Sequence, residues 1–70
     1  MSRVLHRVYA HQVEEKITQL LNKEVDIVLT NNSVLHGIIF SISGTELVLK
    51  NIVRNKTKIQ FEEIKEILFV

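Results

Sequence analysis

The segment from Val25 to Asn51, VDIVLTNNSVLHGIIFSISGTELVLKN, constrains the fold more than any other part of the chain. Val25, Ile27 and Leu29 share one face of an extended run. Asn31-Asn32-Ser33 then supplies residues that tolerate the left-handed backbone of a tight hairpin. The next run, Val34 to Ile42, is apolar on both faces, and Gly37 in its middle offers a place to bend. Such a strand must be covered on both sides or curl into a closed sheet. The expectation is a small, strongly bent β-barrel.

The flanking sequence extends this pattern. From Tyr9, the apolar positions Val13, Ile17, Leu20 and Leu21 recur at intervals of three and four, with polar residues between them. This spacing predicts an amphipathic helix of about three turns. Glu14 and Glu15 near its start and Lys23 beyond its end suit the helix dipole, and Asn22 supplies a stop. Five strands are predicted to follow, at about Glu24 to Thr30, Val34 to Ile42, Glu46 to Ile52, Thr57 to Phe61 and Ile64 to Phe69. Ser43-Gly44-Thr45 and Arg54-Asn55-Lys56 turn the chain between them, and Glu62-Glu63 links the last two. The fold class is thus mostly β, an N-terminal helix followed by a strongly bent five-stranded antiparallel sheet. Residues 1 to 8 show no clear period and read as an N-terminal arm, and residues 9 to 70 as one domain.

A chain of 70 residues buries only about 60% of the surface its unfolded form exposes, so its stability margin is small. With no cysteine, disulfides and thiolate metal sites are excluded, which leaves oligomerisation as the expected reinforcement. The terminal run Ile67-Leu68-Phe69-Val70 carries no charge that would guard a free edge. It needs cover, either from the helix or, as the favoured expectation, from a neighbouring subunit's sheet. No apolar run approaches the roughly 18 residues of a membrane span, and the first ten residues lack a secretory core, so a cytoplasmic protein is expected. The net charge of +1 gives no global attraction for nucleic acid, and anion binding must come from local clusters.

A helix and five bent strands, with VDIVLTNNSVLHG as the first hairpin and LVLKN at Leu47 to Asn51, resemble the Sm-like family, and within it the bacterial Hfq proteins. Gly37 stands where that family has glycine, whereas Asn32 stands where it usually has another. The resemblance covers about residues 10 to 69. It implies an SH3-type small barrel and a closed hexameric or heptameric ring, joined through strand four of one subunit and strand five of the next. It also implies binding of single-stranded RNA. The chain departs from the family at three places. Ser43-Gly44-Thr45 replaces an Asp-centred loop and lacks its stacking aromatic, and Val28 stands where Hfq often has an aromatic. Gln60-Phe61-Glu62-Glu63 replaces the basic pair beside the pore, and carboxylates there repel phosphate.

Among the polar clusters, Lys50, Arg54, Lys56 and Lys58 on and beside one hairpin loop are the foremost candidates for phosphate contacts. Asn51 and Asn55 are candidate base or sugar contacts, and His36 is a further contact beside Gly37. Phe61 is a candidate for base stacking, although its alternation with Ile59 favours a core position. The arm residues Arg3, His6 and Arg7, with His11, form a second basic cluster. His6, His11 and His36 match no compact metal-ligand spacing, so no metal and no cofactor are expected. Ser33, Ser41 and Ser43 lack a nucleophile elbow, no glycine-rich phosphate loop is present, and the adjacent Glu62 and Glu63 point to opposite sides of an extended link. Neither an enzyme nor a small-molecule substrate is expected. The functional expectation is a ring-forming RNA-binding protein of poor sequence specificity. Its rivals are a ring-forming scaffold that has lost RNA binding and a lone peptide-binding barrel, the latter disfavoured by the scarcity of aromatic residues for a cage.

Overall fold

Three successive hairpins build most of the molecule. In the computed structural model, which describes residues 4–53 and 55–70, β1 spans His6–Tyr9 and β2 spans Glu24–Leu29. They are followed by β3 Val34–Ser43, β4 Glu46–Lys50, β5 Lys56–Gln60 and β6 Ile64–Phe69. The hairpin turns fall at the residues suited to them. Asn32 at φ 69° and Gly44 at φ 59° occupy the left-handed region, which Asn and Gly enter at least cost. Ser33 donates its backbone N–H to Asn31 Oδ1 at 2.9 Å, closing the β2–β3 turn with a side chain. In the β4–β5 loop, Asn55 N–H donates to Asn51 Oδ1 at 2.9 Å and Asn51 N–H to the Asn55 carbonyl at 3.0 Å.

All six strands form one antiparallel sheet in the order β1-β6-β2-β3-β4-β5. The predicted five strands are all present, but the sheet has a sixth and is not closed, since its end strands β1 and β5 do not pair with each other. The additional strand comes from the N-terminal segment. His6 to Tyr9 pair with Phe69 to Glu66, and Val8 enters the core at 4% exposure. Part of the segment read as an arm therefore belongs to the sheet. It also covers the terminal strand from within the same chain, by a strand rather than by the helix.

The predicted helix is a broken helical run: a 3-10 turn at Ala10–Gln12, one α-turn, α1, at Val13–Lys16, and a second 3-10 turn at Ile17–Leu20. A segment this short is marginal as an isolated helix, and tight 3-10 turns are common at helix ends. Packing holds it, because Val13, Ile17 and Leu20 are all buried against the inner face of the sheet. Leu21, predicted to share that face, is 44% exposed. The run stops at Asn22, as expected, with φ 67° and its N–H donated to the Ile39 carbonyl at 2.8 Å.

Opposite the helical run, Val25, Ile27, Ile39, Leu47, Ile59 and Ile67 project inward and are almost wholly buried, and no buried residue among those described is polar. Alternation therefore sends His36, Ile38, Lys50, Lys56 and Lys58 to the outer face, which no other element among the described residues covers. Gly37 serves a close approach, because a Cβ there would lie 2.5 Å from the Lys50 carbonyl oxygen and 3.1 Å from the Leu49 side chain. The local irregularity of β3 falls beyond it. Ile39 pairs with Leu49 and Ser41 with Val48, so Phe40 is the unpaired residue of a β-bulge.

Candidate nucleic-acid interface

The bulge in β3 aims Phe40 at solvent, where it is 45% exposed. Two lysines flank its ring. The Lys56 Nζ lies 4.3 Å from the ring centroid and the Lys50 Nζ 5.4 Å from it, both within cation–π range. Lys50 and Lys56 are direct cross-strand partners, and Lys58 stands opposite Val48 one row further along. Like charges directly opposite on a sheet repel, and the electron-rich face of the ring offsets part of that cost.

Beside Phe40 runs a groove of about 410 Å³, lined by Asn22, Glu24, His36, Ile38, Lys50, Asn51 and Ile52 among others. Its far side is acidic. His36 Nδ1 and Asp26 Oδ1 share a hydrogen bond at 2.5 Å, and His36 Nε2 lies 3.7 Å from Glu24 Oε2. The hydrogen bond to Asp26, helped by the charges of Asp26 and Glu24, raises the His36 pKa above its ordinary value. The outer face thus carries carboxylates and an imidazole over β2 and β3 and ammonium groups at Lys50, Lys56 and Lys58, while Glu46 at the other end of β4 accepts a hydrogen bond from Gln60 at 2.7 Å.

The sequence-predicted residues divide between this face and other places. Lys50, Lys56 and Lys58 lie together on it, and His36 and Asn51 line the groove. His36 is held by its two carboxylate partners, while Asn51 and Asn55 spend hydrogen bonds on closing their own loop. Arg54 lies outside the described residues, as does Arg3 of the arm. Phe61 is half-buried and packs against the core beside the Gly44-Thr45 turn, where its N–H donates to the Thr45 carbonyl at 2.8 Å. Glu62 and Glu63 form a 3-10 turn, Phe61–Glu63, at that same end of the sheet. Lys50 ends β4 away from it, about 13 Å from Glu46, and its partner Lys56 shares that separation, whereas Lys58 stands two residues nearer the acidic turn. The described residues of the arm cluster are spent on structure. His6 stacks on Phe69 with centroids 5.1 Å apart, Arg7 pairs with Glu66 at 3.5 Å, and His11 stacks on Tyr9.

Phe40 is the residue that the sequence reading missed. Its signal is parity, since Phe40 shares the polar His36 face of β3 whereas Gly37 and Ile39 share the other. The bulge that separates it from Leu49 leaves no mark in the sequence.

Fold and face together define a small open antiparallel sheet with an exposed aromatic set among lysines. Comparison of the chain with protein-family models, with curated proteins and with solved structures gives no match.

Proposed function

We propose that this protein binds single-stranded RNA on the outer face of β3, β4 and β5, with Phe40 stacking on a base and Lys50, Lys56 and Lys58 contacting the phosphates on either side. The observation that carries the reading is the exposed Phe40 ring with two ammonium groups within 5.4 Å of its centroid. Stacking of a base on an aromatic side chain contributes about 1–3 kcal/mol and tolerates any sequence. The Lys50–Lys56 repulsion favours an anion between them, because a phosphate neutralises both. No reaction is assigned to the face, which offers stacking and charge rather than a nucleophile.

The Sm-like resemblance adds an assembly to this proposal, a closed hexameric or heptameric ring. Ring closure would join β5 of one copy to the outer edge of β6 of the next, the edge that β1 holds here. In the proposed ring β1 leaves that edge, and Glu66, which pairs with Arg7 in the single chain, meets the lysines of the neighbour's β5.

A fluorescence-anisotropy titration of labelled oligo-U at several salt concentrations tests the RNA reading. Three phosphate contacts to a single strand predict a slope of log K against log salt of about −2. Changing Lys50 and Lys56 to Ala should flatten it. No binding at low salt overturns the reading and favours the scaffold alternative, which the Glu62-Glu63 pair supports.

A further inference from the structure

The groove beside Phe40 joins two opposite chemistries, and the register shows how they are spaced. Glu24 pairs with Ile38, Ile38 with Lys50, and Lys50 with Lys56, so one row across four strands reads carboxylate, aliphatic, ammonium, ammonium. Neighbouring strands are about 4.8 Å apart, which sets Glu24 and Lys50 about 10 Å from each other. That is the scale of one nucleotide from its phosphate to the far edge of its base. Ile38, 42% exposed, and Phe40 give the intervening floor an apolar surface on which a base can lie. A volume of about 410 Å³ falls within the range of ligand pockets.

Resting on the RNA-binding reading above, we infer that this groove reads the base as well as the backbone, and that it selects guanine. The Glu24 carboxylate only accepts hydrogen bonds, and it offers two oxygens side by side. Guanine alone among the four bases presents two adjacent donors, N1–H and the N2 amine, on its Watson–Crick edge. Adenine and cytosine set a ring acceptor nitrogen beside their one amine, and that nitrogen would face the second carboxylate oxygen. Uracil flanks its single N–H with two carbonyls. His36, hydrogen-bonded to Asp26, lies 3.7 Å from Glu24 Oε2, beyond hydrogen-bond distance, so both carboxylate oxygens stay open at the groove end. The Glu24 side chain remains 69% exposed and is free to meet a ligand.

The test compares labelled oligo-U strands that carry, at one central position, guanine, adenine, cytosine or inosine, which is guanine without its exocyclic amine. The intact protein should bind the guanine strand about tenfold more tightly than the adenine or cytosine strand, with inosine losing most of that gain. Glu24→Gln keeps the shape but replaces one acceptor oxygen by a donor. It should lose the preference for guanine and shift towards adenine or cytosine, whose amine and ring nitrogen match its acceptor and donor, with the salt slope of the parent unchanged. Equal binding of all four strands by the parent, lost on Phe40→Ala, overturns the guanine inference alone. A preference that survives in Glu24→Gln also overturns it. If no strand binds at low salt, the RNA-binding reading falls, and the guanine inference with it.

Discussion

Phe40 and Lys56 lie on strands that are not neighbours, yet the Lys56 ammonium reaches to 4.3 Å from the centre of the Phe40 ring, across the intervening β4. The bulge makes this contact possible by freeing Phe40 from the ladder. Both side chains are solvent-exposed, so their contribution to the fold is modest, and cation–π contacts at such sites are worth about 0.5–1 kcal/mol. Phe40→Ala should therefore leave thermal stability nearly unchanged while weakening RNA binding by about 1–3 kcal/mol. Phe40→Trp should retain binding. Isothermal titration beside a melting curve separates the two effects, and a large loss of melting temperature with no loss of affinity would contradict the assignment.

Gly37 should not accept even alanine. The added methyl would meet the Lys50 carbonyl at 2.5 Å, a backbone atom that cannot swing aside. Overpacking of this kind costs about 1–3 kcal/mol. Chemical denaturation of Gly37→Ala should show that loss, whereas an unchanged midpoint would mean that β3 and β4 separate freely there.

Asn22 holds a left-handed backbone at the end of the helical run. Asn22→Gly should be close to neutral, because glycine enters that region without a steric penalty. Asn22→Val should lose about 1–2 kcal/mol. Equal stability of the two variants in denaturant would show that the chain relaxes to another conformation at this position.

The His36 pKa is raised in the folded protein, chiefly by its hydrogen bond to Asp26. The folded protein therefore holds the proton more tightly than the unfolded chain. The resulting stabilisation is fully present below the ordinary histidine value of 6.5 and is lost as pH rises through the raised folded value. Melting temperatures across this window should fall with rising pH in the parent and fall less in His36→Gln. An identical slope in both proteins would remove His36 as its source.

The pairing of β1 with β6 makes a prediction about assembly. Val8, opposite Ile67, is the inward anchor of β1. Val8→Asp should detach β1 and uncover the β6 edge, and native mass spectrometry should then show more multimer than the parent forms at the same concentration. A variant that stays at the mass of the parent would argue against the β6 edge as the assembly surface.

Much of this architecture was legible because it is written locally. The terminal strand Ile64–Phe69 lies where its apolar run predicted it, and the other four predicted strands shift by no more than two residues at either end. Asn32, Gly44 and Asn22 mark turns through their own backbone preferences. β1 was hidden because a four-residue strand with one inward side chain, Val8, carries no measurable alternation. Its existence depends on β6, far away in sequence. The lysines of the candidate face were found from their clustering, but their relation to Phe40 depends on a bulge that composition does not encode. Phe61, the aromatic nearer the expected pore site, packs against the core, in keeping with its alternation with Ile59.

Backbone amide NMR of the isotope-labelled protein titrated with oligo-U reads out residue by residue whether RNA engages the outer face around Phe40. Shift changes should centre on Phe40, Lys50, Lys56 and Lys58 and extend into the groove at His36 and Asn51. Changes centred instead on Thr45, Phe61 and Glu62, or on β1, would contradict it.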